Sequence, residues 1–129
     1  NATITVNNGR ILNNIVGGGF AYATVGNSNI TINDGTIENV LGGGLASVTI
    51  DGTYYNVGSE DDMENSPNRV DNVNIVINDA TIPSPTSDYG LIFGGGQGYS
   101  YVGNTSIISV NWPQYSKPYP FFIMANFFV

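Results

Sequence analysis

The sequence predicts an all-β fold, and three observations lead to that class. Isoleucine and valine number 26 against 4 leucines, and β-branched residues favour pleated strands over helices. Charged residues make up only 10% of the 129 residues, so asparagine, serine and threonine supply most of the polarity. Gly-Gly-Gly occurs at residues 17–19, 42–44 and 94–96, and a strand-like segment precedes each triplet. The length fits one domain over residues 1–129.

A repeated unit defines the elements in order. An apolar-x-apolar-Asn strand begins at Ile4, Ile30 and Ile75, and a fourth copy without glycines begins at Ile108. The spacings of 26, 45 and 33 residues indicate one unit with later insertions. A unit of about 26 residues with three short strands predicts one coil of a parallel β-helix. The general preference of parallel crossovers makes that helix right-handed.

The β-helix predicted in this way has about three coils and a partial fourth. The expected coils lie near residues 3–28, 29–72 and 73–106, with inserted loops near residues 51–72 and 83–90. Asparagine closes each first strand, so its side chains are expected to stack into an amide ladder. The members of that ladder are Asn7, Asn33, Asn78 and Asn111.

One repeat resembles a known family of surface proteins. Residues 26–44, Gly-Asn-Ser-Asn-Ile-Thr-Ile-Asn-Asp-Gly-Thr-Ile-Glu-Asn-Val-Leu-Gly-Gly-Gly, are similar to the glycine-rich repeats of bacterial and archaeal adhesin-like proteins, whose pattern is GNTxVTIxGGTIxxVYGGG. The similarity spans residues 3–110, broken at the first insertion. Leu41 and Phe93 stand where the family often has tyrosine, and the end after Asn111 has no counterpart. The resemblance implies a right-handed β-helix in an exported scaffold that binds other molecules.

Charge and missing residue types exclude several classes of protein. The net charge is −7, and the only basic residues are Arg10, Arg69 and Lys117, which are too few to contact a nucleic acid or an anionic membrane. The chain has no histidine and no cysteine, which removes the commonest general base, thiolate zinc sites and disulfides. No apolar run is long enough to span a membrane. We therefore expect no cofactor, no nucleic-acid partner and no membrane insertion.

Outward tyrosines are the main candidates for binding. After each glycine triplet, small or apolar residues alternate with larger polar ones, so the second set is expected to face solvent. An aromatic face flanked by hydroxyls suits a sugar ring, although exposed tyrosines can also simply cover a sheet. The candidate glycan-binding residues are Tyr22, Ser47, Tyr99 and Tyr101, with Tyr54 and Tyr55 of the first insertion.

The first insertion also concentrates carboxylates, at Glu60, Asp61, Asp62 and Glu64. Such a cluster is either a solvated loop or a weak candidate for Ca²⁺, although its spacing matches no calcium motif. The same carboxylates support the alternative that the protein is an enzyme acting on polysaccharides, as a lyase or a glycoside hydrolase. That alternative needs two carboxyl groups at a fixed separation, which a sequence cannot reveal.

The C-terminal segment, residues 111–129, departs from the repeat. Three prolines interrupt it, and an almost wholly apolar run follows. It is expected either to cap the last coil or to join subunits in a head-to-tail or trimeric assembly. The residues concerned are Trp112, Phe121, Phe122, Phe127 and Phe128.

Together these patterns predict a non-enzymatic, extracellular structural or adhesive module at the cell surface. Its expected partners are further copies of itself and a surface glycan. Asn-x-Ser/Thr occurs at Asn1, Asn29 and Asn104, about as often as chance predicts, so these sites indicate nothing about glycosylation.

Overall fold

The computed structural model of the protein describes residues 1–82, 91–109 and 122–124. Strands and irregular segments make up this part of the chain except for one short 3₁₀ helix, Glu60–Asn65, so the predicted all-β class is confirmed. No helix in it has the length and apolar character needed to cross a membrane. The strands are β1 (Ala2–Val6), β2 (Arg10–Val16), β3 (Thr24–Ile32), β4 (Thr36–Leu41), β5 (Ser47–Ile50), β6 (Thr53–Asn56), β7 (Arg69–Ile77), β8 (Leu91–Phe93), β9 (Tyr101–Ser109) and β10 (Phe122–Met124).

Two parallel sheets have matching strand orders. Sheet A has the order β1-β3-β7-β9, and sheet B has the order β2-β4-β8-β10. Every neighbouring pair within both sheets is parallel. Each sheet-A strand is followed along the chain by a sheet-B strand. The pairs β1/β2, β3/β4, β7/β8 and β9/β10 therefore form four layers, numbered 1 to 4, that stack in chain order.

The register between layers agrees with the first two predicted spacings, 26 and 45 residues, and differs from the third, which places the fourth copy. Ile4 pairs with Ile30, and Ile30 pairs with Ile75, as the sequence spacing predicts. In layer 4, however, Ile107 rather than Ile108 lies opposite Ile75. Ile107 packs against the core, whereas Ile108 is 55% exposed. The prediction that the fourth copy begins at Ile108 is therefore wrong by one residue, although Ile108 and not Ile107 begins a match to the apolar-x-apolar-Asn motif.

Both sheets contribute side chains to one apolar core. Along β3 and β7, alternate residues point inward, and Ile30, Ile32, Ile75 and Ile77 are at most 1% exposed. Sheet B adds Ile37, Val40 and Ile92, all fully buried. Burying each such side chain contributes about 1.5–3 kcal/mol. Since successive layers supply equivalent residues, each layer covers the apolar face of the next.

The glycine triplets follow the sheet-B strands and stack on one another. Gly42 N donates to Phe93 O at 2.7 Å and Gly43 N donates to Gly95 O at 2.8 Å, so backbone pairing continues beyond β4 and β8. A Cβ atom added to Gly43 would lie 2.6 Å from Gly96 N, closer than side-chain carbons approach backbone atoms. The triplets are therefore required by the close approach of three backbone segments.

The long insertion begins with a hairpin that the sequence analysis did not predict. β5 and β6 pair antiparallel, with Val48 opposite Tyr55. The turn between them uses Asp51 and Gly52, whose φ angles of 49° and 78° match a turn with two left-handed residues. Ser47–Ile50 therefore pairs with β6 rather than continuing sheet A.

The insertion also ends earlier than predicted. The chain rejoins sheet A at Arg69, where Arg69 N donates to Ala23 O at 2.9 Å and Tyr101 N donates to Asn68 O at 2.9 Å. Residues 69–72, predicted to lie in the loop, belong to β7. Apart from this correction, the insertion leaves the parallel pairing of layers 1, 2 and 3 in register.

Part of the C-terminal segment joins sheet B. Strand β10 pairs with β8, with Phe122 opposite Leu91 and Met124 opposite Phe93. This piece therefore extends a sheet by one strand. The second predicted loop, residues 83–90, lies outside the described residues. So do four of the residues predicted either to cap the last coil or to join subunits, Trp112, Phe121, Phe127 and Phe128.

Candidate functional site

Three large aromatic side chains are exposed where the insertion leaves layer 2. Tyr22 is 74% exposed, Tyr54 is 64% exposed and Phe20 is 53% exposed. We call these three residues the aromatic patch. The Ser47 hydroxyl and the Tyr54 hydroxyl are 2.8 Å apart, which hydrogen-bonds the hairpin strand β6 to the start of β5.

The turn that carries Phe20 and Tyr22 has a strained backbone. Ala21, between them, has a φ of 51°, a left-handed conformation that costs an alanine about 1–2 kcal/mol. Its side chain is 7% exposed, and its N–H donates to Leu45 O at 2.9 Å. Because Ala21 points inward, both of its aromatic neighbours are left on the surface.

The side chain of a buried asparagine is hydrogen-bonded to the backbone of this turn. Asn68 is 1% exposed, and its Nδ2 donates to Ala21 O at 2.7 Å and to Gly19 O at 3.1 Å. Those two carbonyls flank Phe20. Nothing in the repeat pattern singled out Asn68, because Ala23 and Ser100 hold the equivalent position before β3 and β9.

The hairpin contributes one side chain to the patch and one to a small second core. Phe20 and Leu45 form a parallel bridge, two residues before Tyr22 and Ser47 respectively. Tyr54 is exposed on β6, whereas Tyr55 is half-buried. Tyr55 packs against a cluster formed by Ala21, Ala46 and Val57. The hairpin therefore packs on the same turn that presents Phe20 and Tyr22.

Tyr99 and Tyr101 lie apart from the patch. Tyr99 is half-buried, and its carbonyl accepts a short hydrogen bond of 2.5 Å from the Ser66 hydroxyl. Tyr101 is half-buried below Arg69, whose guanidinium carbon is 5.1 Å from the centre of its ring. Of the six predicted glycan-binding residues, Tyr22 and Tyr54 are exposed, and the half-buried Ser47 is hydrogen-bonded to Tyr54.

Arg69 connects the insertion to sheet A, and the sequence analysis did not single it out as a site residue. Its Nε and Nη2 donate to Asp71 Oδ1 at 3.0 and 2.8 Å, and its Nη1 donates to Glu64 O at 2.8 Å. Arg69 follows Thr24 and precedes Tyr101 in the stack of outward positions. Thr49 follows its glycine triplet by the same number of residues as Thr24 and Tyr101, but it lies in the hairpin.

The acidic residues of the insertion lie on the exposed 3₁₀ helix. Glu60, Asp61, Asp62 and Glu64 are all exposed, and Asp62 Oδ1 accepts a 2.8 Å hydrogen bond from Asn65 Nδ2. Among the described residues, no three or more acidic side chains are close enough together to hold a metal ion.

Asparagine ladders connect the layers on the outside of sheet A. Asn33 Nδ2 donates to Asn7 Oδ1 at 2.8 Å, and Asn78 Nδ2 donates to Asn33 Oδ1 at 2.7 Å. These are three of the four residues predicted to stack; the fourth, Asn111, lies outside the described residues. Hydrogen bonds between neutral side chains contribute about 0.5–1.5 kcal/mol each.

Further ladders exist that the sequence analysis missed. The longest crosses all four layers through Asn1, Asn27, Asn72 and Asn104, with N···O distances of 2.9, 3.1 and 3.0 Å. Shorter ones join Asn29 to Asn74 and Asn14 to Asn39. In every ladder Nδ2 donates toward layer 1. For the ladders of sheet A the signal was present in the sequence, because these asparagines have the same spacing as the sheet-A strands. Asn14 and Asn39 lie in sheet B, where a register shift makes their spacing 25 residues.

No protein-family model, curated protein or solved structure matches the chain.

Proposed function

We propose that the protein is a non-enzymatic, extracellular adhesive module that binds a surface glycan through the aromatic patch. The scaffold in this proposal is a right-handed parallel β-helix, whose coils are the four layers. Support for the scaffold comes from the two parallel sheets with matching order and from the stacked glycine triplets. The resemblance of residues 26–44 to repeats of adhesin-like proteins supports a location at the cell surface.

The main support for this proposal is the turn at Ala21, which has a strained backbone, is held by hydrogen bonds and keeps aromatic side chains exposed. An alanine in a left-handed conformation is unfavourable, yet the buried amide of Asn68 holds Ala21 in it and keeps Phe20 and Tyr22 outside. Backbone strain of this kind is concentrated at functional sites in proteins. The arrangement therefore supports binding at this surface more than a purely structural role.

The chemistry of the patch favours a sugar. Flat aromatic faces accept the C–H groups of a pyranose ring, and the hydroxyls of Tyr22, Tyr54 and Ser47 can donate to or accept from its hydroxyls. A protein with a net charge of −7 repels acidic polymers. We therefore expect a neutral or basic polysaccharide rather than an acidic one.

Binding to immobilised neutral and amino polysaccharides, followed by calorimetry with soluble oligosaccharides, tests the proposal. Tyr22→Ala and Tyr54→Ala should each weaken binding by about three- to tenfold, because each removes one aromatic face. Ile108→Ala is the matched control, since Ile108 is a 55% exposed apolar residue on β9 and should leave affinity unchanged. Failure to bind any glycan, or equal affinity in all three variants, would contradict the proposal.

A further inference from the structure

At the layer-1 end, two strand edges pair with no other strand in the described part of the chain. Within the described residues, β1 and β2 are the outermost strands of sheets A and B, and both belong to layer 1. Exposed parallel edges are templates for further strand pairing. Charged side chains and prolines usually protect such an edge from further pairing. Strands β1 and β2 contain one charged residue, Arg10, and no proline.

The asparagine ladders give this end a chemical polarity. Each ladder amide donates to the layer below it, so Asn1, Asn7 and Asn14 of layer 1 have Nδ2 groups with no acceptor among the described residues. At the opposite end of the longest ladder, Asn104 donates to Asn72, and its Oδ1 has no donor there. One end of the molecule therefore presents amide donors and the other presents an amide acceptor.

The hydrogen-bonding polarity decides which ends can meet. Two layer-1 ends brought together would oppose donors to donors. Two layer-4 ends would oppose acceptor to acceptor. A layer-1 end against a layer-4 end avoids both conflicts. Charge does not oppose this contact, because the segment that forms layer 1 contains Arg10 and no acid, and β9 and β10 contain no charged residue.

We propose that the layer-1 end binds the layer-4 end of a second copy, so that the protein stacks head to tail with β9 of one copy beside β1 of the next. This inference rests on the layered scaffold of the proposed function and does not require a glycan. The ladder specifies the register, because Asn1 Nδ2 finds its acceptor when Asn104 of the neighbouring copy lies opposite it.

That register also matches side chains along the two strands. With Asn104 opposite Asn1, the core-facing Ile107 lies opposite Ile4, which packs against the same core. The outward residue Ser106 lies opposite Thr3. Apolar positions therefore continue inward and polar positions outward across the junction, as they do between layers of a single molecule. A shift by one residue would reverse this alternation.

Register-specific cross-linking tests the proposal. Because the chain has no native cysteine, only the introduced cysteines can form disulfides. A variant with Thr3→Cys and Ser106→Cys should form disulfide-linked ladders under mild oxidation. Within one molecule the two positions are three layers apart, about 14 Å, which is too far for a disulfide. The control pairs Thr3→Cys with Thr49→Cys, since Thr49 is exposed on the hairpin and lies at neither end.

The expected result is at least about tenfold faster cross-linking in the first variant than in the control, because stacking raises the local thiol concentration. Analytical ultracentrifugation of the unmodified protein should show mass that rises with concentration. Equal cross-linking rates, or a monomer at every concentration, would overturn the proposal.

A second variant blocks the outer edge of β1 without removing the hydrogen bonds between β1 and β3. Val6 O accepts from Asn33 N, so the alternation of a parallel strand turns the N–H of Thr5 away from β3. Thr5→Pro removes that outward donor and should abolish assembly while circular dichroism retains the β spectrum. Assembly that persists in this variant would show that β1 is not the docking edge. Loss of assembly with intact glycan binding would separate this inference from the proposed function.

Discussion

Asparagine side chains connect neighbouring layers at the residue scale. A primary amide carries a donor and an acceptor, so one residue type repeated at one position can bond upward and downward at the same time. An aspartate in the same place would lack the donor and repel its neighbours. The ladders explain why a chain with so few charged residues contains so many asparagines: the amides supply polar outer surface that also joins the layers.

Replacing the middle member of a ladder should measure its contribution. Asn33→Ala removes the bonds to Asn7 and Asn78, and we expect a loss of about 1–2 kcal/mol in the free energy of unfolding. Urea denaturation followed by circular dichroism provides the measurement. Asn56→Ala is the control, because Asn56 is exposed on β6 with no side-chain hydrogen bond in the described structure. Equal losses in both variants would indicate that the ladder contributes nothing.

The sequence predicted some residue-scale features and missed others for physical reasons. The spacing of Asn7, Asn33 and Asn78 was visible because it coincides with the strand motif. Asn68 was not, since its role depends on tertiary contacts with two carbonyls far away in the chain. Tyr22 was recognised as outward, but the hydrogen bond between Ser47 and Tyr54 requires a hairpin that alternation alone did not indicate.

The insertion and the sheets are nearly independent at the element scale. Layer 1 passes from its glycine triplet to β3 through residues 20–23, and layer 3 passes to β9 through residues 97–100. Layer 2 makes the same connection through residues 45–68. Despite this difference, β3 and β7 pair in continuous register. The extra residues are therefore an addition to a complete scaffold.

A deletion tests this independence. Removing residues 48–67 leaves Leu45-Ala46-Ser47-Asn68 before β7, which has the same length as the connections in layers 1 and 3. We expect this variant to fold with its parallel sheets intact, at lower stability because Tyr55 and Val57 no longer pack on Ala21 and Ala46. Circular dichroism and thermal melting are the measurements.

Removing residues 49–67 instead leaves one residue too many and serves as the matched control. The extra residue either bulges or shifts β7, so this variant should be less stable than the first. The reverse order of stability would contradict the independence of the insertion.

The same elements mark the boundary of what the sequence could predict. The 26- and 45-residue spacings and the inward isoleucines were correct because burial imposes a strict period of two on a strand. The hairpin was missed although Asp51-Gly52 between alternating residues is a strong turn signal, because the alternation after the second glycine triplet also fits a strand of the parallel stack. The register of layer 4 was missed because the strand motif matches at Ile108 and not at Ile107, whereas the spacing from Asn72 to Asn104 gives the observed register.

The whole molecule is a stack in which inner layers have two neighbours and outer layers have one. This gives a stability gradient, since β3 and β7 are hydrogen-bonded on both sides whereas β1 is bonded on one. Stacked repeats owe their cooperativity to such interfaces between neighbours. The layer-1 end is therefore expected to open before the middle of the molecule does.

Hydrogen exchange should reveal this gradient. In dilute solution the amides of β3 and β7 should exchange slowest and those of β1 and β2 fastest among the sheet strands, because local opening begins at the edge. Mass spectrometry of peptic fragments resolves these segments. Protection of β1 that rises with protein concentration would accompany head-to-tail stacking, and protection of β1 equal to that of β3 at the lowest concentration would contradict an open edge.

The parallel order of both sheets also makes the molecule mechanically anisotropic. The backbone hydrogen bonds between layers run along the stacking direction. Tension applied along that direction therefore breaks them one layer at a time, which separates the layers at modest force. Tension applied along the strands loads all the bonds of a layer pair together, and the molecule resists as a shear joint. A stack of copies anchored at one end would extend progressively when pulled along the stacking direction. A ligand bound on the side of the stack would instead apply force along the strands, the direction in which the molecule resists most.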